Sequence, residues 1–216
     1  MSVQLLPQSL ELESVTDSLR LRMKAAGCEF YFTVRQCLTA AGSVDEVHHR
    51  SLLEALFSEL QAMADRGWQW QMAKHPHLKA GQRSMGPEDV FNASAMPWDT
   101  VSVVEVCVAE PVCRTSPLRK SEPPNGFQRL SQAFQNPPSS LRCPPELFSE
   151  FCTVVGLLPD HDIEVLDWVG DPFMEPERSN WSKYFEDGKE WWGIWCLTVW
   201  NPRHQTLAAL VASSTD

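Results

Sequence analysis

The chain has 216 residues, is 43% hydrophobic and 21% charged, and carries a formal net charge of −10 at pH 7. That is ample apolar material for one core, and it excludes global disorder. A pI near 5.1 excludes a nonspecific nucleic-acid binder, which needs clustered Lys and Arg to meet phosphates.

In chain order, Met1 to Ser18 has no basic n-region and no long apolar run, so no secretory signal is expected. Leu10 to Ala26 has helical character. Glu29 to Arg35 is aromatic and β-branched and reads as a strand. Ser43-Val44-Asp45-Glu46 fits a capping box. It opens a helix whose apolar stripe is Leu52, Leu53, Leu56, Phe57, Leu60, Met63 and Ala64, with Gly67 as its stop. Trp68 to Met72 alternates apolar and polar, the pattern of a half-buried strand. Pro87 to Val90 opens a short helix, and Val101 to Val108 reads as a strand.

Between Pro111 and Pro145 the character changes. Eight of the 16 prolines lie there, and five bases (Arg114, Arg119, Lys120, Arg129, Arg142) face only Glu122, a net of +4. This predicts a Pro-rich basic loop, with one short amphipathic helix on Phe127, Leu130 and Phe134. Pro145 to Val155 is a helix with Pro at its start and Gly156 as its stop. Ile163 to Val169 is a strand. Ile194 to Trp200 and Thr206 to Ala212 form a hairpin around residues 201–205. Strands and helices mix without βαβ alternation. The expected fold is therefore a single α+β domain over residues 1–216, a mainly antiparallel sheet with packed helices.

The acidic, Trp-rich part at 160–216 is the most distinctive. Residues 160–190 hold ten acids against three bases, so seven of the ten net negative charges fall in 31 residues. Trp181 lies among them, and Trp191, Trp192, Trp195 and Trp200 follow. Negative charge beside bulky aromatics suits a surface that holds a basic partner. Asp167, Asp171, Glu175, Glu177, Glu186 and Asp187 are the candidates to present charge, and Trp181 the exposed anchor. The plainer reading is a solvated acidic face with tryptophans in the core. Pairing of these acids with the 111–145 bases would largely dissolve the binding argument.

Catalytic signatures are missing. GxSxG, a Gly-rich phosphate loop and HExxH do not occur. His75-Pro76-His77 and Asp160-His161-Asp162 offer ligand-type side chains without a recognised long-range set, and they read as surface turns. His48-His49 reads as a solvated helix face. The seven cysteines (28, 37, 107, 113, 143, 152 and 196) contain no CxxC pair and read as small buried hydrophobes. No catalytic residue, metal or cofactor is expected. An enzyme with a non-motif site around His161 and an adaptor subunit of a larger assembly stand as alternatives. Stoichiometric metal would mark the first.

A small, acidic, aromatic-rich chain without motifs resembles the bacterial immunity proteins of type VI secretion and polymorphic toxin systems. The resemblance is one of overall character across the whole chain. It implies a tight one-to-one complex with a cognate protein toxin. The longest apolar run, Trp191 to Trp200, is about half of what a membrane helix needs, so no membrane contact is expected and the chain reads as soluble and cytoplasmic. Such a protein would meet a toxin acting in the cytoplasm. The implied toxin is nuclease-like with a basic surface, met by acids that mimic phosphate, without direct contact to nucleic acid.

Overall fold

The computed structural model describes residues 4–5, 9–28, 30–38, 44–77, 87–98, 126–137, 143–158, 162–172, 174–189 and 193–213. Its elements in order are β1 (Gln4–Leu5), α1 (Leu10–Ala25), β2 (Phe30–Leu38), α2 (Glu46–Lys74), a 3-10 turn (Pro87–Asn92) and β3 (Met96–Pro97). There follow α3 (Gly126–Gln135), α4 (Pro145–Val155), β4 (Glu164–Asp167), three short 3-10 turns between Pro176 and Lys189, β5 (Ile194–Asn201) and β6 (Thr206–Ser213).

The strands form one six-stranded sheet in the order β1-β2-β6-β5-β4-β3. Every pairing is antiparallel. The fold is α+β with helices packed on the sheet.

The central strands explain the architecture. β5 is buried along its whole length and β6 along all but its ends. Strands buried on both faces read as near-continuous apolar runs and need cover on both sides. Alternate side chains serve two cores. Phe30, Phe32, Val34, Trp195, Leu197, Val199, Ala208, Leu210 and Ala212 face Leu19 and Met23 of α1, Phe134 of α3 and Phe151 of α4. Cys196, Trp200, Leu207, Ala209 and Val211 face Leu52, Leu53, Leu56, Phe57 and Leu60 of α2. The five described cysteines, 28, 37, 143, 152 and 196, are buried.

Local signals set the element ends. In α4, Pro145 sits at the first turn, where no N–H is missed, and Gly156 closes the helix at φ +79°. The β5–β6 turn is held by the Asn201 side chain, whose Oδ1 accepts from the Arg203 and His204 amides, each at 3.1 Å. α3 arises where Phe127, Leu130 and Phe134 predict it. The strand expected at Val101–Val108 and the rest of the basic loop lie outside the described residues.

Four expectations are corrected around α2. The N-cap is Asp45, not Ser43. Its Oδ1 accepts from Val47 N at 3.1 Å and His48 N at 3.3 Å, and His48 closes the box. Gly67 does not stop the helix, and Trp68–Met72 is helical, not a strand. No residue of 61–74 is buried, so the alternation there does not report a buried sheet face. Trp70 is exposed and carries the Lys74 ammonium 3.8 Å above its ring, an i,i+4 pair. Finally, His49 is not solvated. It is completely buried, with Nδ1 2.8 Å from Thr198 Oγ1, which also accepts from Trp168 Nε1 at 2.9 Å.

Candidate functional site

β4 ends at Asp167, and the chain turns sharply there. Asp167 Oδ1 accepts from the amides of Val169 and Gly170, both at 2.9 Å. Gly170 takes φ +67°, which L side chains disfavour. A Cβ at this position would also meet Arg178 Nη1 at 2.5 Å and Glu175 Oε2 at 2.6 Å. The turn therefore needs glycine for its backbone angle, and a side chain there would also displace the flexible ends of the Glu175–Arg178 ion pair.

Arg178 organises the loop. Its Nη1 donates to Glu175 Oε2 at 3.0 Å, and its Nη2 donates to the Asp167 carbonyl at 2.8 Å. Asp171 forms an ion pair with Arg129 of α3 and accepts from the Met174 amide at 3.3 Å. One acid of 160–190 is thus paired with one base of the 111–145 segment. Arg114, Arg119, Lys120 and Arg142 lie outside the described residues.

These groups line a cleft of about 170 Å³. Asp167, Asp171, Glu175 and Arg129 supply its charge, and Trp98 and Trp195 supply aromatic surface. Val169, Ile194 and Leu197 complete it with apolar surface. Gly193, at φ +118°, brings the chain into β5 with no room for a side chain, since a Cβ there would stand 2.6 Å from the Trp195 ring.

The charges do not cancel. With Arg178 counted beside Arg129, two guanidinium groups face three carboxylates. Among the described residues no cation makes an ion pair with the Asp167 carboxylate. Burial pushes its carboxyl above the usual range, against the pull of the two backbone donors and of Arg178. Behind it, burial and this same carboxylate push the Cys196 thiol well up. Glu175 and Asp171 are each fixed by their own arginine, and Asp167 by two amides. The set offers static negative charge beside aromatic surface, which suits holding a cation better than exchanging protons.

The other expected residues fall elsewhere. Glu177 and Glu186 are exposed and do not line the cleft. Asp187 opens the last 3-10 turn. The expectation of an exposed Trp181 is corrected: it is half-buried, its Nε1 donates to the Trp168 carbonyl at 2.9 Å, and its ring packs on Phe57 and Phe185 at 5.2 and 5.1 Å. The single polar N–H on a large ring finds a buried acceptor, so Trp181 stays with the α2-side core. Trp98, Arg129 and Arg178 were not singled out from sequence as site residues. Trp98 and Arg129 come from segments distant in the chain, and only the packed fold brings them to Asp171.

His75 and His77 are exposed just past the end of α2, and His161 lies outside the described residues. Among the described residues no group of three or more His, Cys, Asp or Glu is placed to hold a metal ion. No helix among them is long and apolar enough to cross a membrane. Comparison with protein-family models, with curated proteins and with solved structures finds no match for this chain.

Proposed function

We propose that this chain is a binding protein that neutralises a cognate toxin, an immunity protein acting in the cytoplasm on a nuclease-like toxin. The carrying observation is the convergence of Asp167, Asp171 and Glu175 with Trp98 and Trp195 on one cleft. At about 170 Å³ the cleft is below the roughly 300–1,000 Å³ usual for small-molecule sites. Its size suits one inserted side chain. Its chemistry selects a cation, since carboxylates attract guanidinium or ammonium groups and tryptophan faces add cation–π attraction.

A nuclease reads phosphates with lysines and arginines, so a surface carrying fixed carboxylates competes for the same groups. The exposed Glu177 and Glu186 extend the negative field and steer the encounter, while the cleft slows release.

The test has two stages. Tagged protein purified from its native host should bring down one stoichiometric partner with a basic, nuclease-like domain, and co-expression should relieve that partner's toxicity. With the partner in hand, Asp171→Asn combined with Glu175→Gln and Glu186→Gln should slow association about tenfold at low salt and flatten its salt dependence. Circular dichroism confirms that the variant is folded. Recovery of the protein alone from cells that make the neighbouring gene product overturns the immunity reading. A folded triple variant that binds and protects like wild type overturns the role of this surface.

A further inference from the structure

The cleft leaves two carboxylate oxygens unused. The Val169 and Gly170 amides take Asp167 Oδ1, and among the described residues Oδ2 accepts no hydrogen bond. Glu175 gives Oε2 to Arg178, and its Oε1 accepts none among the same residues. The enclosed side-chain polar atoms without a partner there are Thr33 Oγ1, His49 Nε2 and Ser213 Oγ. Asp167 Oδ2 and Glu175 Oε1 are therefore not sealed inside the protein. Burial, and to a lesser extent the neighbouring Glu175, push the Asp167 carboxyl up, as low polarity and a like charge do to any carboxylate. A cation held by both groups relieves that repulsion.

We infer that the cation this cleft takes is a guanidinium, an arginine side chain of the partner, in preference to a lysine, with Asp167 as the residue that determines the choice. The inference rests on the reading of the cleft as a cation site and names which cation it selects. The two unused oxygens belong to different carboxylates. A planar guanidinium with five N–H donors reaches two separated acceptors in one plane, whereas an ammonium is a compact point charge. Trp98 and Trp195 line the cleft together with Val169, Ile194 and Leu197. Indole faces stack a guanidinium. Apolar walls strip water from whatever enters, and that costs a weakly hydrated guanidinium less than a strongly hydrated ammonium. The fold makes the same choice for itself: the cations that pair with Asp171 and Glu175, Arg129 and Arg178, are both arginines.

The surroundings suit the rest of such a side chain. Met96 is the antiparallel partner of Asp167, so the two side chains leave the same face of the sheet. Trp98, whose amide donates to the Val165 carbonyl at 2.8 Å, continues the ladder on that face. Met96 is 47% exposed, and Met174, whose amide donates to Asp171, is 80% exposed. Exposed methionines beside a charged cleft offer adaptable apolar contact to the methylene stem behind a guanidinium.

The test uses the full chain, isotope-labelled for nuclear magnetic resonance and titrated with blocked tripeptides whose central residue is arginine, lysine or citrulline. The signals followed are the Gly170 and Asp171 amides and the Trp98 and Trp195 indole N–H groups. The arginine peptide should shift them together and bind about fivefold tighter than the lysine peptide. The citrulline peptide, uncharged and nearly the same shape, should shift none. Asp167→Asn keeps an oxygen for the two amides and removes the charge, and it should weaken the arginine peptide about tenfold. Glu175→Gln should weaken it as well, from a separate position on the loop. The wild-type titrations decide the matter without either variant. Lysine binding as tightly as arginine overturns the guanidinium assignment and leaves the cation site standing. Silence from both cationic peptides overturns the assignment and the cation site with it. Citrulline moving the same signals overturns the role of charge. Recovery of a toxin from the host is a separate result, so the immunity reading stands or falls independently of these titrations.

Discussion

At the scale of residues, His49 carries the sharpest consequence. It is buried on α2, held by Thr198, and its Nε2 has no hydrogen-bond partner among the described residues. Burial, helped by neighbouring His48, lowers its pKa from 6.5 to about 4. The unfolded chain therefore binds this proton at higher pH than the folded one. Stability contributed by the neutral ring is fully present above pH 6.5, falls as pH drops through that value, and is lost completely near pH 4. A shift of that size is worth about 3 kcal/mol. Urea titrations between pH 4 and 7 should show this slope, and His49→Asn, which keeps a polar atom near the Nδ1 position but does not titrate, should flatten it. An unchanged slope in the variant would place the acid sensitivity elsewhere. The burial of His49 was legible after all: Leu52, Leu53 and Leu56 follow at i+3, i+4 and i+7, so His49 belongs to their stripe. Polarity argued for solvent, and spacing argued for the core. Spacing prevailed because Thr198, on the facing strand, supplies the partner that burial demands.

At the scale of elements, the signals that worked were those fixed by backbone chemistry. Proline at the start and glycine past the end of α4, and the polar turn between two apolar runs in β5–β6, act through φ angles and missing donors that no tertiary contact can alter. The distal half of α2 misled because its two tryptophans alternate with glutamines while the segment buries no residue among the described ones that could use the alternation. Gly67 misled for a related reason. A glycine inside a helix costs about 1 kcal/mol relative to alanine, which weakens a helix without ending it. Among the described residues nothing lies within 4 Å of where its Cβ would stand, so Gly67→Ala meets no clash with them. This substitution should strengthen the unburied segment, slowing amide hydrogen exchange over residues 68–74 about fivefold with little effect elsewhere. Faster or unchanged exchange there would contradict a continuous helix to Lys74. The candidate site divides in the same way. The acids of 167–175 were visible as a local charge run, and Gly170 marked their turn. Trp98 and Arg129 reach the cleft through packing alone, and Trp181 left the surface because the Trp168 carbonyl and the Phe57 ring offered it a better environment than water.

At the scale of the whole molecule, two cores depend on one sheet. Phe151 lies in the core beneath α1, α3 and α4, and Phe57 in the core beneath α2. β5 and β6 contribute side chains to both, so neither core can be lost while the other keeps its floor. Trp195 reports on the first, and Trp168, Trp181 and Trp200 on the second. Unfolding should therefore be one transition, with tryptophan fluorescence and far-UV circular dichroism coinciding along a urea gradient. Truncating either phenylalanine to alanine removes a buried ring and should cost roughly 3–5 kcal/mol. The informative part is where the cost appears. Phe57→Ala should move both probes by the same amount, and so should Phe151→Ala, although the two rings lie on opposite sides of the sheet. A variant that shifted the fluorescence transition and left the dichroism in place would mean that one helical layer detaches from a sheet that survives with the other. The buried Thr198, which meets His49 and Trp168 from a strand whose alternate residues floor the opposite core, argues against that, because exposing one face frees polar groups that the strand must then satisfy with water.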